Sequence, residues 1–126
     1  MFHIIYNMDH GSPGSINTSS KDKGECLTRE DAGSLQNGNY LQVFFSGSCQ
    51  TADFQKDCIA ERFLNNPDGG AVAYIGNSDN GYTNENNFLK YFIDAWKNPQ
   101  MPHNIGNLFR KVQTSGGGGS SNRKMV

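Results

Sequence analysis

Leu41-Gln42-Val43-Phe44-Phe45, then Asp57-Cys58-Ile59-Ala60-Glu61-Arg62-Phe63-Leu64, then Asn65-Asn66-Pro67-Asp68-Gly69-Gly70, then Ala71-Val72-Ala73-Tyr74-Ile75 follow one another in the middle of the chain. The first and last are short apolar runs without polar alternation, the pattern of strands covered on both faces in a parallel sheet flanked by helices. Between them Ile59, Ala60, Phe63 and Leu64 share one helical face, Asp57 stands where a cap is needed, and the Asn-Asn-Pro-Asp-Gly-Gly run stops the helix. A strand, helix, turn, strand unit closes right-handed, so the two strands are expected to run parallel.

Working outward, Phe2 to Met8 reads as another buried strand, and Thr28 to Leu35 as a short helix in an otherwise polar link. Downstream, Phe88, Phe92, Ala95 and Trp96 mark one apolar helix face, and Ile105, Leu108, Phe109 and Val112 another, with Pro99 and Pro102 between them. Ser115 to Ser121 is a flexible linker by composition. The organisation expected is therefore one α/β domain over residues 1–114, with a mainly parallel sheet of about three strands, and a Gly/Ser-rich tail over 115–126. No other segment offers a strand to cover the edges of so thin a sheet. With the first strand starting at residue 2, the chain is expected to be a partial domain whose N-terminal part is missing.

Charge and composition remove whole classes of function. With 11 Lys and Arg against 12 Asp and Glu among 126 residues, the net charge of −1 lacks the footprint of a nucleic-acid binder. No apolar run approaches the roughly 18 residues that span a bilayer. Met1-Phe2-His3 has none of the features of a secretory signal. Three cysteines form no disulfide framework.

In open parallel sheets the ligand site lies beyond the carboxyl ends of the strands. Those ends carry Asp9-His10-Gly11-Ser12, Gly47-Ser48-Cys49 and Gly76-Asn77-Ser78. A His and a Cys thus emerge on one rim, where an imidazole can hold a thiol as thiolate and later protonate a leaving amine. The amides of Gly11 and Cys49 are candidate donors to a tetrahedral oxyanion, since a glycine lets a carbonyl approach the backbone. A His in a loop is also commonly a solvated turn residue, and a Cys beside a strand a small buried hydrophobe, so spacing alone leaves both readings open.

The stretches Asn7-Met8-Asp9-His10-Gly11-Ser12-Pro13, Leu35-Gln36-Asn37-Gly38 and Phe45-Ser46-Gly47-Ser48-Cys49-Gln50-Thr51-Ala52-Asp53-Phe54 carry more than spacing. So do Cys58-Ile59-Ala60-Glu61-Arg62-Phe63-Leu64, Gly70-Ala71-Val72-Ala73-Tyr74-Ile75-Gly76-Asn77-Ser78 and the helix ending at Trp96. In this order they resemble the gingipain-like cysteine peptidases, family C25 of the caspase-like clan, over roughly residues 2 to 113. The resemblance implies a caspase-like three-layer sandwich and a cysteine endopeptidase cutting peptide bonds through a thioester. It makes Cys49 the nucleophile, His10 its partner and the Gly11 and Cys49 amides the oxyanion donors; Ser48, Asn77 and Ser78, placed just beyond the strand ends, are candidates for the substrate rim. It implies protein or peptide substrates, no cofactor, and a secreted or cell-surface bacterial protein. In the family pattern the acid that orients the imidazole and much of the specificity pocket lie upstream of this piece. Asp9 would project away from its neighbour His10 on an extended chain and is not assigned that role.

Two other readings stand beside the peptidase: a caspase-like module that binds peptides or supports a neighbour without turnover, and a sortase-like transpeptidase in which an amine resolves the thioester. Metal is not expected, since His3 lies within a strand, His103 lies among prolines, and the cysteine spacings match no zinc pattern. Cys58 falls in a first helical turn, where the dipole lowers a thiol pKa unless the group packs as an apolar thiol. Cys26 reads as a loop residue. The Asn-rich stretch Asn77 to Asn87 reads as a solvated loop along the substrate rim, without the spacing of a calcium-binding hand.

Overall fold

The structure, a computed structural model, describes residues 3–17, 25–81, 85–100 and 104–114. The chain divides into two compact units, Met1–Gly81 and Tyr82–Lys124.

The first unit is built on β1 (His3–Asn7), β5 (Gln42–Ser46) and β6 (Ala71–Gly76), which form a three-stranded parallel sheet in the order β1-β5-β6. Numbered between them are β2 (Gly11–Ser12), β3 (Ser15–Asn17), β4 (Glu25–Thr28) and α1 (Arg29–Gly33), while α2 (Ile59–Leu64) lies between β5 and β6. The architecture is the expected α/β arrangement, with α1 and α2 packed on one another and α2 on β6.

Alternation along the strands puts Ile5, Phe44 and Tyr74 side by side in one layer of the sheet, because Ile5 pairs with Phe44 and Phe44 with Tyr74. The Phe44 and Tyr74 rings stack at 5.2 Å, and Phe63 of α2 lies over both, at 4.8 Å from Phe44 and 5.7 Å from Tyr74. Ile59, Ala60, Cys58, Ala52, Ala32 and Ile16 complete this core. On the other face of the sheet Val43, Phe45 and Ile75 are buried as well. The central strand therefore has both faces covered, as its unbroken apolar run requires. β1 differs: Ile4 and Tyr6 are each 39% exposed. As an edge strand, β1 carries apolar residues without the two-sided cover expected from the sequence.

Four local features depart from the sequence reading. The link between β1 and β5 holds a second, antiparallel sheet, β2-β3-β4, where no strand was expected. Thr28 caps α1 instead of lying within it: its Oγ1 accepts the Asp31 N–H at 3.1 Å, while Asp31 Oδ2 accepts the Thr28 N–H at 2.9 Å. Helix α2 starts at Ile59, with Cys58 in the cap position, and Asp57 instead forms a two-pronged ion pair with Arg62 at 2.6 and 2.9 Å. The Asn-rich stretch is not one loop as far as Asn87, because residues 85–87 belong to α3. His103, Pro102 and the 115–126 tail lie outside the described residues.

The turn after α2 ties the unit together. Asn66 Nδ2 donates to the Ala32 and Leu35 carbonyls at 3.0 and 2.8 Å, so the end of one helix is bound to the end of the other. Gly70 has φ +86, and a Cβ there would strike the Phe63 carbonyl, so this position needs glycine on both counts.

The second unit is the pair α3 (Glu85–Lys97) and α4 (Ile105–Thr114). Phe88, Phe92, Leu108 and Val112 are buried, and the Phe88 and Phe109 rings meet at 5.4 Å. Among the described residues no helix is long and apolar enough to cross a membrane.

Phe63 contacts both stacked rings of the central layer and is 2% exposed, so its truncation leaves a cavity in the middle of the core. Phe63→Ala is expected to lower the unfolding free energy by about 3–5 kcal/mol, read as a fall in the urea midpoint. Phe54→Ala, at a 50% exposed ring, is expected to leave the midpoint nearly unchanged.

Candidate active site

The register of the parallel sheet decides where the candidate side chains stand. Asn7, Ser46 and Gly76 are level across the three strands. Three residues beyond them come His10, Cys49 and Asp79. One more hydrogen bond, from the Gly47 N–H to the Asn7 carbonyl at 2.8 Å, keeps β1 and the chain leaving β5 together past the ends of the strands.

After Asn7 the chain turns at Asp9, whose Oδ1 accepts the His10 backbone N–H at 2.7 Å, and enters the β2–β3 hairpin. That hairpin turn is held at two points. The Pro13 carbonyl accepts the Ile59 N–H at 2.7 Å and the Gly14 carbonyl accepts the Arg29 N–H at 2.9 Å. Amides at helix starts have no intrahelical acceptor, so the first residues of α1 and α2 both find theirs in this turn. Gly11 is thereby pressed on the turn that follows β5: a Cβ on it would lie 2.7 Å from Ser48 Cβ, 3.0 Å from Thr51 Cγ2 and 3.1 Å from the Cys49 carbonyl oxygen. The loops of His10 and Cys49 are neighbours through this contact.

His10 is exposed and Cys49 half-buried. Among the described residues no hydrogen bond joins the imidazole to the thiol. Cys49 Sγ instead accepts the Gly81 N–H at 3.3 Å. Two backbone amides belong to these loops. The Asn17 N–H donates to the His10 carbonyl at 2.9 Å, which makes the adjoining Gly11–Ile16 pair a non-hydrogen-bonded one and turns the Gly11 N–H away from β3. The Cys49 N–H has no acceptor among the described residues.

Beneath the Cys49 turn lies a layer of buried polar groups. Ser48 Oγ donates to Asn7 Oδ1 at 2.7 Å, Thr51 Oγ1 to Ser46 Oγ at 3.2 Å, and the Ser48 N–H to Ser46 Oγ at 3.3 Å. Asn77 Nδ2 donates to the Gly47 and Ser48 carbonyls at 3.0 and 3.3 Å. Ser48 and Asn77, read from the sequence as rim residues, are both 0% exposed and support the turn from below. Ser78 is half-buried and lines a cleft of about 510 Å³ with Gln50, Asp53, Phe54 and Asp79. In that cleft the Lys56 ammonium, 2.9 Å from Asp53, holds the Asp53 carboxyl below the usual range. Asn7, Thr51 and Gly81 were not singled out from the sequence. The polar residue closing an apolar strand run was the signal that marks Asn7.

Cys58 is fully buried, and desolvation pushes its thiol up, against the dipole effect that a first-turn position suggested. Among the described residues no group of three or more His, Cys, Asp or Glu side chains is arranged to hold a metal.

The chain matches the model of peptidase family C25 over residues 3–125. The chain belongs to peptidase family C25. A solved structure described as "Structure of Protease" is similar to it, with a TM-score of 0.56 and 27% identity over 66% of this chain and 18% of that one. The chain thus spans under a fifth of that protein's length. No curated protein matches it.

In this family member the hydroxyl layer continues down to Tyr74, whose OH faces Ser46 and Thr51 without reaching hydrogen-bonding geometry with either. Burial pushes this phenol from the ordinary value of 10 up to about 12. The folded state therefore keeps a proton that the unfolded chain releases above pH 10, and stability is lost as pH rises from there towards 12. The loss is expected to be smaller in Tyr74→Phe, measured as urea midpoints at pH 8 and pH 11. Gly11→Ala tests the close approach: forcing a methyl against Ser48 Cβ is expected to cost about 1–3 kcal/mol and to change the alkylation rate of Cys49, whereas Gly14→Ala, whose methyl would meet Ser12 Oγ at an ordinary 4.0 Å, leaves that rate unaltered.

Proposed function

We propose that the chain carries the nucleophile-bearing part of a cysteine endopeptidase, with Cys49 as nucleophile and His10 as its acid and base. The observation that supports this reading best is the Gly11 contact: the residue after His10 is packed against Ser48, Thr51 and the Cys49 carbonyl so closely that no side chain fits. It draws the His10 and Cys49 loops together at the carboxyl ends of neighbouring parallel strands, where α/β folds build their sites.

The chemistry follows from these groups. His10 takes the thiol proton, and the Cys49 thiolate attacks the scissile carbonyl carbon, forming a C–S bond while the carbonyl pair moves to oxygen. The amides of Gly11 and Cys49 donate to that oxyanion. Collapse to the thioester breaks the C–N bond, and His10 returns its proton to the departing amine. Water, deprotonated by His10, then attacks the thioester, releasing the acid and restoring the thiol. The substrate is a protein or peptide, and Ser78 with the Gln50–Asp79 cleft forms part of the wall it meets.

Limiting iodoacetamide followed by mass spectrometry of the peptides separates chemistry from access. Cys26 is exposed, Cys49 half-buried and Cys58 buried, so accessibility alone favours Cys26. Cys49 is expected to label first, and His10→Ala to slow that labelling by about tenfold or more. Labelling of Cys26 ahead of an inert Cys49 would overturn the assignment.

A further inference from the structure

Asn77 is fully buried beside the Cys49 turn and holds it from both sides. Its side-chain amide donates to the Gly47 carbonyl at 3.0 Å and the Ser48 carbonyl at 3.3 Å, immediately before Cys49. Its own carbonyl accepts the Ala52 N–H at 2.9 Å, three residues after Cys49. We propose that Asn77 is the positioning residue of this site: by gripping the Ser48 carbonyl it aims the Cys49 backbone N–H out of the turn, as a donor for the oxyanion of an acyl substrate.

Peptide geometry links the grip on one group to the aim of the other. The Ser48–Cys49 bond is trans and planar, so the Ser48 C=O and the Cys49 N–H point in opposite directions. Fixing the carbonyl towards Asn77 fixes the amide away from it. The same holds one residue earlier, where the Gly47 carbonyl faces Asn77 and the Ser48 N–H points elsewhere, to Ser46 Oγ at 3.3 Å. That amide is engaged, whereas the Cys49 amide has no acceptor among the described residues. A buried side chain holding two successive carbonyls thus leaves one peptide donor available beside the thiol. The loop that Asn77 opens is tied to the turn twice more: the Gln50 N–H donates to the Asp79 carbonyl at 3.0 Å, and the Gly81 N–H reaches Cys49 Sγ at 3.3 Å. Asn77 touches no substrate in this scheme and acts through Cys49.

The oxyanion role rests on the peptidase reading, but the aim of the amide can be measured without it. Residual dipolar couplings on the ¹⁵N-labelled full chain report the direction of the Cys49 N–H vector. Asn77→Asp keeps the shape and, as a carboxylate, loses the donor; the vector is expected to turn while couplings along β5 and β6 stay as in the native chain. If the buried carboxylate prevents folding, Asn77→Ser, too short to span both carbonyls, is read in the same way.

The second readout contrasts two probes of Cys49. Iodoacetamide alkylation needs no oxyanion donor. Addition of the thiol to pooled N-acetyl dipeptide aldehydes forms a C–S bond and places charge on the carbonyl oxygen before a proton reaches it. In the variant, aldehyde affinity is expected to fall about 100-fold while alkylation stays within about twofold of native. An unmoved N–H vector overturns the proposal, as does an equal loss with both probes, which marks a merely structural residue. A vector that turns in a chain whose native Cys49 forms no aldehyde adduct upholds the positioning and removes the peptidase reading instead.

Discussion

A glycine α-carbon pressed on the Ser48–Thr51 turn holds the His10 and Cys49 loops of this protein together. Parallel pairing alone does not do this. Register brings Asn7 and Ser46 level, but a chain leaving the end of a strand has no reason to stay beside its neighbour. Three constraints supply the reason in turn. The Gly47–Asn7 hydrogen bond carries the pairing past the strand ends, the hairpin after His10 is fastened through the Pro13 and Gly14 carbonyls to the starts of two helices, and the missing side chain at Gly11 lets the fastened hairpin close on the Cys49 turn.

Below this contact the unit is layered by polarity. The stacked Phe44 and Tyr74 rings and Phe63 form an apolar floor. Ser46, Thr51, Ser48 and Asn77 form a buried hydroxyl and amide layer above it, and Cys49 with His10 stand on top. The order has a physical basis. A buried polar group is stable only when its hydrogen bonds are made, and here the middle layer makes them largely with one another and with the backbone of the turn. Rigidity comes from that closure: Ser46 Oγ, Thr51 Oγ1 and the Asn77 side-chain amide each make two hydrogen bonds.

The sequence made the parallel strands legible because their apolar runs are continuous and the helix between two of them carries its stop signal in full. His10 and Cys49 followed, since rim residues are counted from strand ends. The β2-β3-β4 sheet was not legible: Ser15-Ile16-Asn17 and Glu25-Cys26-Leu27-Thr28 are too short and too polar to show a period, and their existence depends on the hairpin being held by α1 and α2. The burial of Ser48 and Asn77 was not legible for a related reason. A polar residue next to a catalytic candidate looks like a surface group until its partners are known, and the partner of Ser48 is Asn7, 41 positions away. Long-range satisfaction of polar groups leaves no local trace in sequence.

Gln50 shows how firmly this closure is imposed. Directly after Cys49 it adopts φ +57, a left-handed conformation that costs an ordinary side chain about 1–2 kcal/mol. A glycine at position 50 would relieve the conformation, yet a glycine would also let the peptide planes on either side of it rotate more freely. The observed arrangement keeps the side chain and secures the backbone by its neighbours: the Gln50 N–H is taken by the Asp79 carbonyl at 3.0 Å, the Gln50 carbonyl by the Asp53 N–H at 3.2 Å, and the Ala52 N–H by the Asn77 carbonyl at 2.9 Å. Strain held in this way gives the turn a single conformation. Relaxing Gln50 would move the peptide that carries the Cys49 carbonyl, and that carbonyl is one of the atoms against which Gly11 is packed. The left-handed residue and the glycine are therefore two ends of one constraint, and the thiol sits between them.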